Sequence, residues 1–224
     1  IATFLNNMGA KISGAGTSII RIEGITSLKG CFHEVIPDRI EAGTYTIIGA
    51  LLGKNLKIEN IIPIHIESLI SKLKEMGTDI KVGSDYIILN RVDKFNSCNI
   101  KTLVYPGFPT DLQQPITAML TQCTGNSIIE ETIYENRFNN VEYLNLMGSN
   151  IEVDGTKAYI HGPTKLKGAK VSATDLRAGA CLIIAGLIAE GKTVIENVDH
   201  VLRGYEQIVE KLTNVGAKIT LKEI

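Results

Sequence analysis

One phrase recurs four times along this chain and constrains its fold more than any other feature. It reads Leu5-Asn6-Asn7-Met8-Gly9-Ala10-Lys11-Ile12, Leu73-Lys74-Glu75-Met76-Gly77-Thr78-Asp79-Ile80, Leu144-Asn145-Leu146-Met147-Gly148-Ser149-Asn150-Ile151 and Leu212-Thr213-Asn214-Val215-Gly216-Ala217-Lys218-Ile219. Its glycines stand 68, 71 and 68 residues apart. A second phrase precedes each of the last three copies, at Asp38-Arg39, Thr110-Asp111-Leu112 and Thr174-Asp175-Leu176-Arg177, and opens an apolar segment that ends at Gly53, Gly125 or Gly191. Two phrases keeping step at a fixed period mark an internally repeated architecture, whose units share a core that none could bury alone.

Within one unit, residues 38–52 are apolar nearly all round, which predicts a buried inner helix closed by Gly53. Residues 56–60 predict a strand. Ile66, Leu69, Ile70, Leu73 and Met76 then fall on one face of an outer helix that ends at Gly77. A hairpin follows through Gly83-Ser84-Asp85, and the third copy is expected to match, with Tyr205, Ile208, Val209, Leu212 and Val215 on its outer helix. The expected class is α/β: one domain from 37 to 224 with repeats at about 37–108, 109–172 and 173–224 around buried inner helices. Residues 1–36 hold only the tail of a repeat, so they are expected to belong to a preceding domain, mostly missing upstream of Ile1. Gly14-Ala15-Gly16 reads as a hairpin turn.

Composition removes several function classes. Lys and Arg number 23 against 24 Asp and Glu, a net charge of −1 with no basic run, which argues against nucleic-acid binding by bulk charge. The apolar run 178–189 is too short for a membrane, which needs roughly 20 residues. Cys31, Cys98, Cys123 and Cys181 lie far apart, and with His33, His65, His161 and His200 they show no metal-ligand spacing. Free thiols in a reducing cytoplasm are expected.

The polar candidates cluster at the predicted helix starts. Asp38, Asp111 and Asp175 each open an inner helix, where the plain reading is an N-cap. Three such N-termini converging on one mouth would suit phosphorylated or carboxylated ligands. Asp111 follows the stiff run Pro106-Gly107-Phe108-Pro109-Thr110. Arg177 sits in a helix's first turn, where a cation opposes the dipole, and Arg203 stands just ahead of an outer helix. Arginine forks grip phosphate and carboxylate, although an ordinary ion pair is the plain alternative for each. Glu135-Asn136-Arg137 is expected to open the outer helix of the second repeat.

At Pro37-Asp38-Arg39-Ile40-Glu41, Phe108-Pro109-Thr110-Asp111, Glu135-Asn136-Arg137-Phe138, Ala173-Thr174-Asp175-Leu176-Arg177-Ala178 and Arg203-Gly204-Tyr205-Glu206 the chain resembles the enolpyruvyl transferases. It is most similar to the C-terminal half of those acting on UDP-N-acetylglucosamine, and less so to those of the shikimate pathway. The resemblance spans essentially the whole chain. It implies an inside-out α/β barrel with three repeats per domain. It also implies transfer of enolpyruvyl from phosphoenolpyruvate to the 3′-hydroxyl of UDP-N-acetylglucosamine with release of phosphate, without a cofactor or metal, in cytoplasmic peptidoglycan synthesis that serves cell shape and division. By motif, Asp111 would be the base and a sugar ligand. Ile133, through its backbone, and Tyr134 would lie against the substrate. Asp175 would support proton chemistry or the cleft. Arg137, Arg177 and Arg203 would handle anionic groups, with Arg203 closest to phosphoenolpyruvate. The chain departs from the pattern at Tyr105, usually His, and at Leu202, usually Asp. The family's N-terminal lysine–asparagine pair and mobile cysteine loop have no counterpart here. The competing readings are the shikimate 3-phosphate enzyme and a repeat scaffold without catalysis. A scaffold has no use for Arg177 in a helix's first turn.

Overall fold

The computed structural model describes residues 1–222; Glu223 and Ile224, the last residues expected in the third repeat, lie outside them. The chain divides into two compact units, Ile1–Ile36 and Pro37–Ile224. The smaller holds helix α1 (Ala2–Asn7) and the antiparallel pair β1 (Lys11–Ser13) and β2 (Arg21–Glu23), joined by a loop in which Gly14 and Gly16 take positive φ.

The larger unit is α/β. Its first repeat runs through α2 (Arg39–Leu52), β3 (Leu56–Glu59), a 3-10 turn leading into α3 (Glu67–Glu75), then β4 (Asp79–Val82) and β5 (Tyr86–Asn90). These strands form an antiparallel sheet with β5 in the middle. Two short strands, β6 (Phe95–Asn96) and β7 (Ile100–Lys101), lead on and pair parallel to the next repeat's first strand. The second repeat follows the same order: α4 (Gln113–Leu120), β8 (Cys123–Glu130), α5 (Val141–Leu146), β9 (Ile151–Asp154) and β10 (Lys157–Gly162), with β10 between β8 and β9. From the second repeat β11 (Lys170–Ser172) leads on to pair parallel with the third repeat's β12 (Val194–Glu196), and that third repeat also holds α6 (Leu176–Ile188), α7 (Asp199–Leu202) and α8 (Ile208–Asn214).

The inner helices α2, α4 and α6 pack on one another in pairs, and α4 buries all of its residues. The outer α3 buries only Leu69, Ile70 and Leu73. This division follows from pattern: a helix apolar all round needs neighbours on every side, whereas an apolar stripe needs one. Glycine lets the inner elements approach closely. A Cβ on Gly43 of α2 would lie 2.5 Å from Leu112 Cδ1, just ahead of α4.

The repeated phrase is a helix stop. Gly9, Gly77, Gly148 and Gly216 have φ of +102°, +85°, +100° and +97°. After each, the next residue's N–H reaches back to the phrase's leucine, as Thr78 N–H does to Leu73 O at 3.0 Å and Ala217 N–H to Leu212 O at 3.0 Å. This is the Schellman closure, which needs a left-handed residue and so selects glycine. Leu73, Leu144 and Leu212 are all buried, each worth about 1.5–3 kcal/mol over an exposed position.

Four local expectations change. Gly53 closes α2 in an extended conformation, φ −63°, and is glycine because a Cβ would lie 2.5 Å from Gly49 O. The inner helix of the second repeat stops at Leu120, and Gly125 lies inside β8 opposite Gly162. Tyr205 precedes the third outer helix, because left-handed Gln207, φ +50°, delays α8 to Ile208. Finally, the third repeat has no hairpin among the described residues. Residues 217–222 form no strand.

Candidate active site

The three aspartates have parted roles. Asp38 caps α2, accepting from Ile40 N–H at 2.7 Å, and Asp175 caps α6, accepting from Arg177 N–H at 2.8 Å and Ala178 N–H at 2.9 Å. Asp111 caps nothing. It lies in a 3-10 turn, Thr110–Leu112, ahead of α4, and its carboxylate accepts from no helix amide. The loop before it is pinned at both ends: Leu103 N–H donates to Phe108 O at 2.9 Å, and the Phe108 ring is buried.

Two guanidiniums meet that carboxylate. Arg137 Nη2 lies 2.8 Å and Arg177 Nε 3.2 Å from the same oxygen, Oδ1. Both arginine side chains are mostly buried, at 10% and 18% exposure, whereas Asp111 keeps 38%. The arrangement leaves Oδ2 as the oxygen able to take a hydroxyl proton. Arg137 also lies over the Tyr134 ring, 4.6 Å from its centre. Arg177 therefore has the partner that its unfavourable place in the first turn of α6 requires.

Around this centre a polar chain fixes the Arg137 backbone. Gln114 of α4 donates to Arg137 O at 2.8 Å and to Asn139 Oδ1 at 2.6 Å, and Asn139 in turn donates to Thr174 Oγ1 and Asp175 Oδ2, both at 3.0 Å. Burial would push the Asp175 carboxyl up, but hydrogen bonds from Ala178 N–H, Asn139 and Arg177 N–H, with Arg137 nearby, hold it below the usual carboxylate range. With both oxygens engaged, Asp175 is better placed to shape the cleft than to carry protons. Tyr205 is buried with its hydroxyl 2.9 Å from Thr44 Oγ1, and burial raises its pKa.

Other predicted residues stand differently. Residues 133–140 form turns, with Asn136 left-handed at φ +54°, so Arg137 lies on a loop and the outer helix opens only at Val141. Ile133 and Tyr134 are exposed beside this loop, with their N–H groups donated to Glu131 at 2.9 and 3.1 Å. Arg203 is not brought to the Asp111 cluster. It follows α7, exposed, with Nη2 2.8 Å from His200 Nδ1. Leu202, standing in place of an aspartate, offers it no carboxylate. Tyr105 carries the Arg39 guanidinium 5.5 Å from its ring centre.

Sequence reasoning missed Gln114, Asn139 and Glu131. The alternation of β8 gave a signal for the last: Ser127 and Ile129 point inward, and continuing that period places Glu131 inward too.

Comparisons with known proteins bear on this geometry. Residues 1–212 match the family model described as EPSP synthase (3-phosphoshikimate 1-carboxyvinyltransferase). The chain is 54% identical over 219 residues to UDP-N-acetylglucosamine 1-carboxyvinyltransferase 2 of Geobacillus kaustophilus, covering 98% of this chain and 51% of that protein. It is also 54% identical over 220 residues to the protein of the same name in Listeria monocytogenes, covering 98% and 52%. The chain thus spans about half the length of the curated relatives it matches. Among solved structures, the enolpyruvyl transferase NikO from Streptomyces tendae superposes with a TM-score of 0.85 at 30% identity, over 97% of this chain and 52% of that one. EPSP synthase from Acinetobacter baumannii shares the fold, with a TM-score of 0.75 at 18% identity over 98% of this chain and 54% of that one.

Proposed function

The chain belongs to the EPSP synthase family, and from that premise we propose that it supplies one wall of an active-site cleft that transfers enolpyruvyl from phosphoenolpyruvate to the 3′-hydroxyl of UDP-N-acetylglucosamine. The observation that carries the reading is the Asp111 carboxylate held by Arg137 and Arg177 through one oxygen, with the other left for a substrate hydroxyl. The name shared by the 54%-identical relatives supports the nucleotide sugar as acceptor. The shikimate-pathway acceptor ranks second, because the likeness to an EPSP synthase structure is 18% in sequence.

On this reading Asp111 Oδ2 takes the 3′-hydroxyl proton as the oxygen adds to C2 of phosphoenolpyruvate. An acid outside this chain delivers a proton to C3. The bond from the sugar oxygen to C2 forms as C3 gains that proton. In the second step a proton leaves C3, the bond from C2 to the phosphate oxygen breaks, and inorganic phosphate departs as the C2–C3 double bond returns. Arg137 and Arg177 neutralise the phosphate and carboxylate, and Arg203 joins them only by moving from His200. Ile133 presents its backbone carbonyl to the sugar, since its N–H is already used, and Tyr134 packs beside it. The three-repeat body is read as an inside-out barrel, and residues 1–36, carrying one copy of the repeated phrase, as the end of the partner domain. On this reading the enzyme works in cytoplasmic peptidoglycan synthesis, a placement supported by the nucleotide sugar in its relatives' name.

The test is phosphate release by the full-length protein given phosphoenolpyruvate with either acceptor. Release that requires UDP-N-acetylglucosamine is expected. Release with shikimate 3-phosphate alone would assign the second reading, and release with neither would sink both.

A further inference from the structure

We propose that Glu131 is a positioning residue for this reaction, its carboxylate tying the turn that carries the base Asp111 to the Ile133–Tyr134 backbone. The inference rests on the function proposed above. Glu131 is 3% exposed, and a buried carboxylate is costly unless its oxygens are satisfied. Four donors satisfy it: Thr102 Oγ1 at 2.7 Å, Ile133 N–H at 2.9 Å and Tyr134 N–H at 3.1 Å on Oε1, and Thr110 Oγ1 at 2.9 Å on Oε2. Its own N–H is fixed to Thr156 O at 2.8 Å. No lysine or arginine is among these partners, so the group is not one half of an ion pair.

The partners are what give it meaning. Thr110 is the residue before Asp111, and Ile133 and Tyr134 lead into Arg137, which grips Asp111 from the other side. One side chain therefore spans the two segments that meet at the reacting hydroxyl. An ionised carboxylate only accepts, so each threonine hydroxyl must donate to it and each loop amide must point at it. Such charge-assisted bonds are the stronger kind. Gln at 131 can keep most of this: its carbonyl still accepts from the two amides, while its amide donates to a reversed Thr110 hydroxyl. Alanine keeps none of it.

The experiment compares wild type, Glu131→Gln, Glu131→Ala and Thr110→Val in the full-length protein, reading kcat, both KM values and amide exchange at Ile133 and Tyr134. In Glu131→Ala, kcat is expected to fall about a hundredfold, the scale set by small misplacements of reacting groups. KM for UDP-N-acetylglucosamine rises, KM for phosphoenolpyruvate stays within about twofold, and the two amides exchange faster. Glu131→Gln recovers to within about tenfold of wild type. Thr110→Val, which cuts only the link to the base, lowers kcat without unfolding the protein. Ala and Gln variants equally impaired, or unchanged kinetics in Thr110→Val, would overturn the proposal. If wild type itself turns over no nucleotide sugar, the functional reading fails, and the exchange data still decide this one: unchanged protection at Ile133 and Tyr134 in Glu131→Ala rejects it.

Discussion

On the proposed reading Asp111 concentrates the chemistry, because the carboxylate offers its two oxygens to different tasks. Asp111→Asn keeps the shape and a carbonyl for the arginines but cannot accept a hydroxyl proton. Turnover in the full-length protein should drop roughly 10²–10⁴-fold, the range for general-base help, while KM for phosphoenolpyruvate should not rise, because the arginines lose a competing carboxylate. An equal loss in kcat and gain in that KM would instead make Asp111 a binding group. The cysteines make a contrasting case. Burial pushes the Cys98, Cys123 and Cys181 thiols up to about 12, and all three side chains are enclosed. A maleimide at pH 8 should leave these three unlabelled in native protein and label them all in denaturant, as peptide mass spectrometry would show. Asp111 and Arg177 stood out as candidates because a proline-stiffened loop and a cation in a helix's first turn ask for a partner, whereas Arg137 stood out only through the family motif that carries it. Arg203 stood in a motif just as clear, yet the structure pairs it with His200. Glu131 stayed hidden beside Glu130, since two adjacent acids read as a solvated pair until strand alternation separates them.

The elements were legible wherever local chemistry alone decides the conformation. The Schellman glycines are an example. Gly77 has room for a side chain, its nearest neighbour to a Cβ being Asn96 Nδ2 at 3.6 Å, so φ +85° is its only constraint. Gly77→Ala should cost about 1–2 kcal/mol, and Gly77→Asn clearly less, in urea melts. Equal costs would mean that space rather than φ selects glycine. Where long-range partners decide, sequence reading failed: Gly125 reads as the end of an inner helix, yet pairing with Gly162 sets it inside β8. Asp175 offers a second test at this scale. Its carboxyl is held below the ordinary range, so its contribution is full above about pH 4 and is lost as pH falls through the folded value. Asp175→Asn keeps a cap oxygen but loses the charge and the acceptor for Asn139, so in urea melts it should be less stable than wild type near pH 7 and converge with it on acidification. Asp175→Ala should cost about 1 kcal/mol at neutral pH.

For the whole molecule, the shared core of α2, α4 and α6 holds Asp111, Arg177 and their neighbours in one body. On the proposed reading, the acid for C3 and the second wall of the cleft come from outside this body. The 224-residue chain by itself should release no phosphate above background. Release that depends on Asp111 would show that the other half of its relatives' length is dispensable. The shared oxygen of Asp111 has one more consequence, for ionic strength. Before any ligand arrives, Arg137 and Arg177 already have an internal counter-ion. An incoming anion replaces a carboxylate rather than water, so its gain is the difference between two ion pairs. Added salt screens both pairs alike. Affinity for the anionic substrate should therefore fall less steeply with salt than two unpartnered arginines would dictate, and Asp111→Asn should steepen that slope.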